Sequence, residues 1–146
     1  MRCALATLAS LALLAAAPAR AGSEDAVGAE AARSWRLVTE GSTRELAAGA
    51  SGKLVLFIEP VGKTHVHPKA PLKISIEATP GLKLGKAQLG HADAVDPAAE
   101  APRFEVPFAA TAAGAQQAKA KLDFYICSDQ WCVRQVKDVV LAVNVK

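Results

Sequence analysis

The chain has 146 residues, enough for one domain, and its 51% hydrophobic and 21% charged residues are typical of a globular protein rather than a disordered one. The formal net charge is +3, but without Arg2 and Arg20 of the N-terminal segment the balance is 15 basic against 14 acidic residues. Charge therefore gives no argument for a nucleic-acid partner. The sequence also contains neither of the glycine-rich motifs GxGxxG and GxxxxGK[ST] that bind nucleotide phosphates.

Residues 1–21 have the features of a cleaved export signal. A basic Arg2 precedes an apolar run over residues 4–17, and Ala19 and Ala21 fit the small-residue cleavage rule. The run is shorter than the roughly 20 residues that cross a bilayer, so no membrane span is expected in the mature chain. We predict an exported, periplasmic protein that begins at Gly22. Its residues 22–34, which are small, acidic and rich in alanine, are expected to form a flexible leader without a helix.

From residue 35 onward the sequence predicts strands, because apolar residues alternate with polar ones. Proline and glycine lie between the alternating segments, which is typical of turns. The predicted domain, residues 35–146, is all-β: an antiparallel, immunoglobulin-like β-sandwich of about six to eight strands. Pro107 lacks an N–H donor, so its strand is predicted to be an edge strand or to contain a bulge. The alternating segments are 35–37, 53–58, 72–77, 103–108, 119–126 and 139–145.

Cys127 and Cys132 are the two cysteines that remain after the predicted signal is removed. In an oxidising compartment they are expected to form a disulfide. Residues 128–130, Ser-Asp-Gln, favour a turn, so the two cysteines are predicted to lie opposite each other at the end of a hairpin. Strand alternation places Cys127 on the face of Tyr125, which predicts an accessible sulfur. An exposed disulfide in a short loop is typical of exchanging disulfides, whereas an inert clip is the structural alternative.

The segment 124–132, a strand that leads into Cys-Ser-Asp-x-x-Cys, resembles the N-terminal periplasmic domain of the thiol–disulfide interchange protein DsbD. The preceding strand Phe-Glu-Val-Pro-Phe, residues 104–108, matches the same order of elements. The resemblance implies an immunoglobulin-like fold in which Cys127 and Cys132 are the reactive pair of a thiol–disulfide oxidoreductase. It further implies that a membrane thiol reductase supplies electrons and that other periplasmic thiol or disulfide proteins receive them. No cofactor is implied.

Two other functions stay open at this point. One is a non-catalytic immunoglobulin-like binding module in which the disulfide is only structural. The other is a periplasmic metal-binding protein that uses His65 and His67, which lie on the same face of an extended segment, with His91 as a third candidate ligand. Between the two cysteines, Arg134 favours Cys132 as the more acidic thiol, because a nearby cation stabilises a thiolate.

Overall fold

A computed structural model describes residues 22–146, so the predicted signal peptide, residues 1–21, lies outside the described part of the chain. This part contains one helix, ten strands and one 3₁₀ turn. Four of the strands have only two or three residues, too few to produce a visible alternation in the sequence. The elements are α1 Gly22–Arg33, β1 Trp35–Val38, β2 Glu45–Leu46, β3 Ser51–Pro60, β4 His65–Val66, β5 Lys73–Ala78, β6 Leu82–Leu84, β7 Gln88–Leu89, the 3₁₀ turn His91–Asp93, β8 Arg103–Ala110, β9 Gly114–Cys127 and β10 Cys132–Val145.

The strands form two sheets. Sheet A has the order β1-β3-β8-β6, and sheet B has the order β2-β10-β9-β5-β7, with β4 also paired to β9. Every pair is antiparallel except β2 with the end of β10, which is parallel at Asn144 opposite Glu45 and Val145 opposite Leu46. The all-β, immunoglobulin-like sandwich predicted from the sequence is confirmed.

The core lies between the sheets and is made by the apolar residues that alternate along each strand. In sheet A, Leu56 and Phe104 are fully buried, and in sheet B Leu122 and Phe124 are fully buried. Their polar neighbours along β9, such as Lys121, are exposed. Burying such side chains stabilises the fold by about 1.5–3 kcal/mol each, before the cost of ordering the chain.

Residues 22–33 form a helix, so the expectation of a leader without a helix was wrong. Ala31 of α1 is fully buried, and the carbonyl oxygen of Ser34 accepts hydrogen bonds from Val61 N and Thr64 Oγ1, both at 2.8 Å. Alanine has the highest helix propensity, and acidic residues in the first turn with Arg33 in the last complement the helix dipole. These signals were present in the sequence, although α1 lacks a wide apolar stripe.

The strand that contains Pro107 is internal, so the prediction of an edge strand or a bulge was wrong. β8 lies between β3 and β6, and Pro107 is opposite Lys53 in an unbroken ladder. The carbonyl of Pro107 faces β6, where it accepts a hydrogen bond from Gly85 N at 2.8 Å. Because the N–H and C=O of a strand residue point to the same side, the missing donor faces the point at which the short β6 ends.

Candidate functional site

The hairpin of β9 and β10 is the longest feature of the fold, with fourteen residues in each strand. Its turn is closed by Ser128, whose N–H donates to the carbonyl of Trp131 at 2.8 Å. The hydroxyl oxygen of Ser128 accepts hydrogen bonds from Gln130 N at 3.1 Å and from Trp131 N at 3.3 Å. A serine before a turn makes such contacts with the following backbone, which is the local reason that the chain reverses here.

Cys127 and Cys132 are directly opposite each other at the end of this hairpin and form a disulfide. Their Cα atoms are 4.1 Å apart. The predicted hairpin, the pairing of the two cysteines and the disulfide are therefore confirmed. Because the closed loop contains only about six residues, the bond removes only about 2 kcal/mol of chain entropy from the unfolded state. The β9–β10 ladder already holds the same two residues together, so this disulfide adds little to the fold.

The two cysteines differ in exposure. Cys127 is 1% exposed, whereas Cys132 is classed with the exposed residues. The expectation of an accessible sulfur at Cys127 was thus wrong, although alternation along β9 continues to Tyr125 as predicted. The reason is that β9 ends between two strands, β10 on one side and β4 on the other. Of the two cysteines, Cys132 is the one open to an attacking thiolate.

β4 brings His65 next to the disulfide. His65 is the cross-strand partner of Cys127, which is in turn the partner of Cys132, so the three residues form one row across β4, β9 and β10. Directly opposite residues in an antiparallel pair have Cβ atoms about 4.5–5.5 Å apart and project to the same face. The sequence analysis considered His65 only as a metal ligand. A strand of two residues gives no alternation from which its pairing with β9 could be predicted.

An ion pair lies on the same face, two residues from each cysteine along its strand direction. Arg134 Nε donates to Asp123 Oδ1 at 2.8 Å, and a second guanidinium nitrogen donates to Oδ2 at 2.5 Å. Hydrogen bonding to Arg134 lowers the pKa of Asp123 below its usual range, and the same contact raises the pKa of Arg134. Since the carboxylate compensates the guanidinium charge, Arg134 stabilises a thiolate at Cys132 less than its position in the sequence suggests.

The three histidines are not brought together. His67 Nδ1 accepts hydrogen bonds from Lys69 N at 3.1 Å and Ala70 N at 2.8 Å, and His91 Nε2 donates to the carbonyl of Ala70 at 2.7 Å. Within residues 22–146, no group of three or more histidine, cysteine, aspartate or glutamate side chains is placed to hold a metal ion. The backbone thus already occupies one ring nitrogen of His67 and one of His91.

Trp131, which lies inside the cysteine loop, packs partly buried against the core. A second tryptophan links the two sheets behind the hairpin. Trp35 of β1 meets Phe124 of β9 edge-on, with ring centroids 4.8 Å apart, and its Nε1 donates to Gln135 Oε1 at 3.1 Å. These contacts fix β10 next to the cysteines.

The described chain is therefore a two-sheet β-sandwich whose longest hairpin ends in a disulfide with one buried and one exposed cysteine. No helix in residues 22–146 is long and apolar enough to cross a membrane. No known family model matches the chain, and no curated protein matches it.

Several solved structures share a broadly similar arrangement of strands at low identity. A conjugate transposon protein from Bacteroides vulgatus is 11% identical with a TM-score of 0.42, and the match covers 75% of this chain and 83% of that one. A conjugative transposon lipoprotein from Bacteroides eggerthii is 9% identical with a TM-score of 0.39, covering 72% and 95%. Domains 4 and 5 of the S-layer protein SbsC are 11% identical with a TM-score of 0.40 over 75% of this chain, which spans half of their length.

Proposed function

We propose that this protein is an exported thiol–disulfide exchange protein that relays reducing equivalents through Cys127 and Cys132. The observation that carries the proposal is the pairing of an exposed with a buried cysteine in a disulfide of about six residues. A short-loop disulfide with an accessible sulfur fits the labile, exchanging class better than the reduction-resistant structural class. The resemblance of segment 124–132 to the N-terminal domain of DsbD supports the same function.

The exposures of the two cysteines define an order of steps. The thiolate of a partner dithiol attacks Sγ of Cys132; the Cys127–Cys132 bond breaks, and the electron pair leaves on Sγ of Cys127. A mixed disulfide now joins Cys132 to the partner. The second partner thiolate attacks its own sulfur in that mixed disulfide, which releases Cys132 as a thiolate and leaves the partner oxidised. The two electrons reside on the reduced pair, and the reverse sequence passes them to an oxidised protein.

The predicted location agrees with this chemistry. Disulfides persist in oxidising compartments such as the bacterial periplasm, and segment 1–21 has the features of an export signal. In this account the partners are other periplasmic thiol or disulfide proteins, with a membrane thiol reductase as the electron source.

Trapping of the mixed disulfide tests the proposal. The Cys127→Ser variant, which keeps the exposed thiol and lacks the resolving one, is incubated with a peptide that contains a disulfide. Mass spectrometry is expected to show the peptide attached through Cys132, and the Cys132→Ser variant is the matched control with a much lower yield. The reduced wild-type protein is expected to release free peptide thiols and become oxidised.

If the reduced wild-type protein released no peptide thiols, exchange would be excluded. The disulfide would then be a structural clip in a β-sandwich binding module, the second function considered from the sequence. The burial of Cys127 is the observation that favours this alternative.

A further inference from the structure

The exchange proposed above leaves a chemical problem at Cys127. When Cys132 is attacked, the electron pair of the broken bond goes to a sulfur in a residue that is 1% exposed. Burial disfavours a thiolate, since the charge loses its solvation by water. The leaving sulfur therefore needs a proton from a neighbouring group as the bond breaks.

We propose that His65 is the proton donor to the leaving sulfur of Cys127, an inference that rests on the proposed exchange function. His65 is directly opposite Cys127 in the β4–β9 pair, and their side chains share one face. It is partly buried, so it lies at the boundary between solvent and the covered cysteine. Histidine is the side chain that most readily exchanges protons with water near neutral pH.

The backbone arrangement fixes this contact. The paired Cα atoms of Cys127 and Cys132 are 4.1 Å apart, which is typical of an antiparallel pair without mutual hydrogen bonds. The N–H and C=O of Cys127 then point away from β10 and toward β4. His67 N continues the same ladder by donating to the carbonyl of Tyr125 at 3.0 Å. Main-chain pairing on both sides of Cys127 thus holds His65 beside it.

Other titratable and charged groups lie on the elements around His65. They are Asp123 and Tyr125 on β9, Arg134 on β10, Asp129 in the turn, Glu59 at the end of β3, Glu100 before β8, and Lys63, His67 and Lys69 in the segment around β4.

Several of these groups are committed elsewhere. Asp123 is paired with Arg134, and Glu59 is paired with Arg36. One ring nitrogen of His67 accepts hydrogen bonds from the backbone at Lys69 and Ala70. None of the groups on this face, apart from the cysteines, is the register partner of Cys127. His65 is therefore the group placed to protonate its sulfur.

In the proposed step the attacking thiolate forms a bond to Sγ of Cys132, and the proton on the imidazolium of His65 moves to Sγ of Cys127. The products are a mixed disulfide at Cys132, a neutral thiol at Cys127 and a neutral imidazole. In the reverse direction the neutral imidazole removes the proton from Cys127, which then attacks the mixed disulfide and restores the Cys127–Cys132 bond.

The pH profile of disulfide opening tests this role. Opening of the disulfide by dithiothreitol is followed in the wild-type protein, His65→Gln and His91→Gln, and each rate is divided by the concentration of dithiothreitol thiolate. His91→Gln is the matched control, because His91 bonds to Ala70 and is not in the row of the cysteines. At pH 5.5 the wild-type value is expected to exceed that of His65→Gln by about tenfold or more, the scale of general acid catalysis. The ratio should approach one by about pH 8.5, where histidine side chains have lost their protons.

Each outcome has a distinct meaning. A change of the same size at every pH would mean that His65 only covers Cys127, and an equal change in His91→Gln would also overturn the proposal. If the wild-type disulfide did not exchange at any pH, the proposed function itself would fail; normal exchange with parallel profiles would overturn only the role of His65. Near-UV circular dichroism verifies that His65→Gln is folded, and His65→Asn is the second variant if it is not.

Discussion

Cys127 and Cys132 are bonded to each other directly across the β9–β10 hairpin, yet Cys127 is 1% exposed whereas Cys132 is exposed. The difference arises because β4 pairs with the end of β9 at Cys127 and no comparable strand pairs with β10 at Cys132 within the part of the chain that the structure describes. The two sulfurs therefore have different roles in any exchange with a partner: Cys132 is attacked and Cys127 leaves.

This difference predicts unequal reactivity of the two free thiols. In Cys127→Ser, the remaining Cys132 should react with iodoacetamide at neutral pH roughly tenfold faster than Cys127 does in Cys132→Ser, because thiol reactivity follows access and thiolate character. Alkylation rates followed by mass spectrometry measure the ratio, and the rates in denaturant provide the unfolded reference. Equal rates in the folded variants would contradict the assignment.

The disulfide is predicted to contribute little to the free energy of unfolding. Reduction, or the double replacement of both cysteines by serine, should lower that free energy by about 2 kcal/mol or less, since the loop is short. Urea unfolding measures the change, and Phe124→Ala is a useful comparison because loss of a buried phenylalanine costs about 3–5 kcal/mol. A loss on reduction as large as that of Phe124→Ala would indicate a structural disulfide.

The hydrogen bond from Trp35 to Gln135 is predicted to stabilise the contact between β1 and β10. Gln135→Leu removes the acceptor and should lower the free energy of unfolding by about 1 kcal/mol, because the partly buried indole N–H is left without its partner. Gln130→Leu, the same change at an exposed turn position, should alter it by less than about 0.5 kcal/mol. Equal effects of the two changes in urea unfolding would argue against a stabilising hydrogen bond.

The ion pair of Asp123 with Arg134 predicts a pH dependence of stability. Because Arg134 lowers the pKa of Asp123 in the folded state, the stabilisation is present above the pKa of the unfolded chain and is lost as the pH falls through the folded value. Asp123→Asn should therefore be slightly less stable than wild type at neutral pH, with a difference that shrinks below about pH 4. Thermal unfolding from pH 2 to 7 measures this difference, and Asp138→Asn is a control on the same face of β10. A difference that stayed constant down to pH 2 would contradict the ion pair.

The long strands and the cysteine hairpin could be predicted from the sequence, because their information is local. Alternation along 119–126 and a turn at Ser128 suffice to place Cys127 opposite Cys132. Alternation also predicted a strand at 53–58 with both faces covered, and Val55 is fully buried in addition to the inward-facing Leu54 and Leu56.

What the sequence did not predict depends on which distant segments become neighbours. The pairing of β4 with β9 joins residues more than sixty positions apart, and it alone decides both the burial of Cys127 and the place of His65. The internal position of Pro107 likewise depends on where β6 ends. Helix α1 was missed for another reason, since its propensity and terminal charges indicated a helix while its composition resembled a leader.

The reduction potential of the Cys127–Cys132 disulfide, measured by equilibration against a glutathione or dithiothreitol series, tests the central claim most directly. The account predicts a value of roughly −180 to −270 mV, in the range of proteins that exchange disulfides. A value below about −300 mV would identify a structural disulfide and contradict the exchange function.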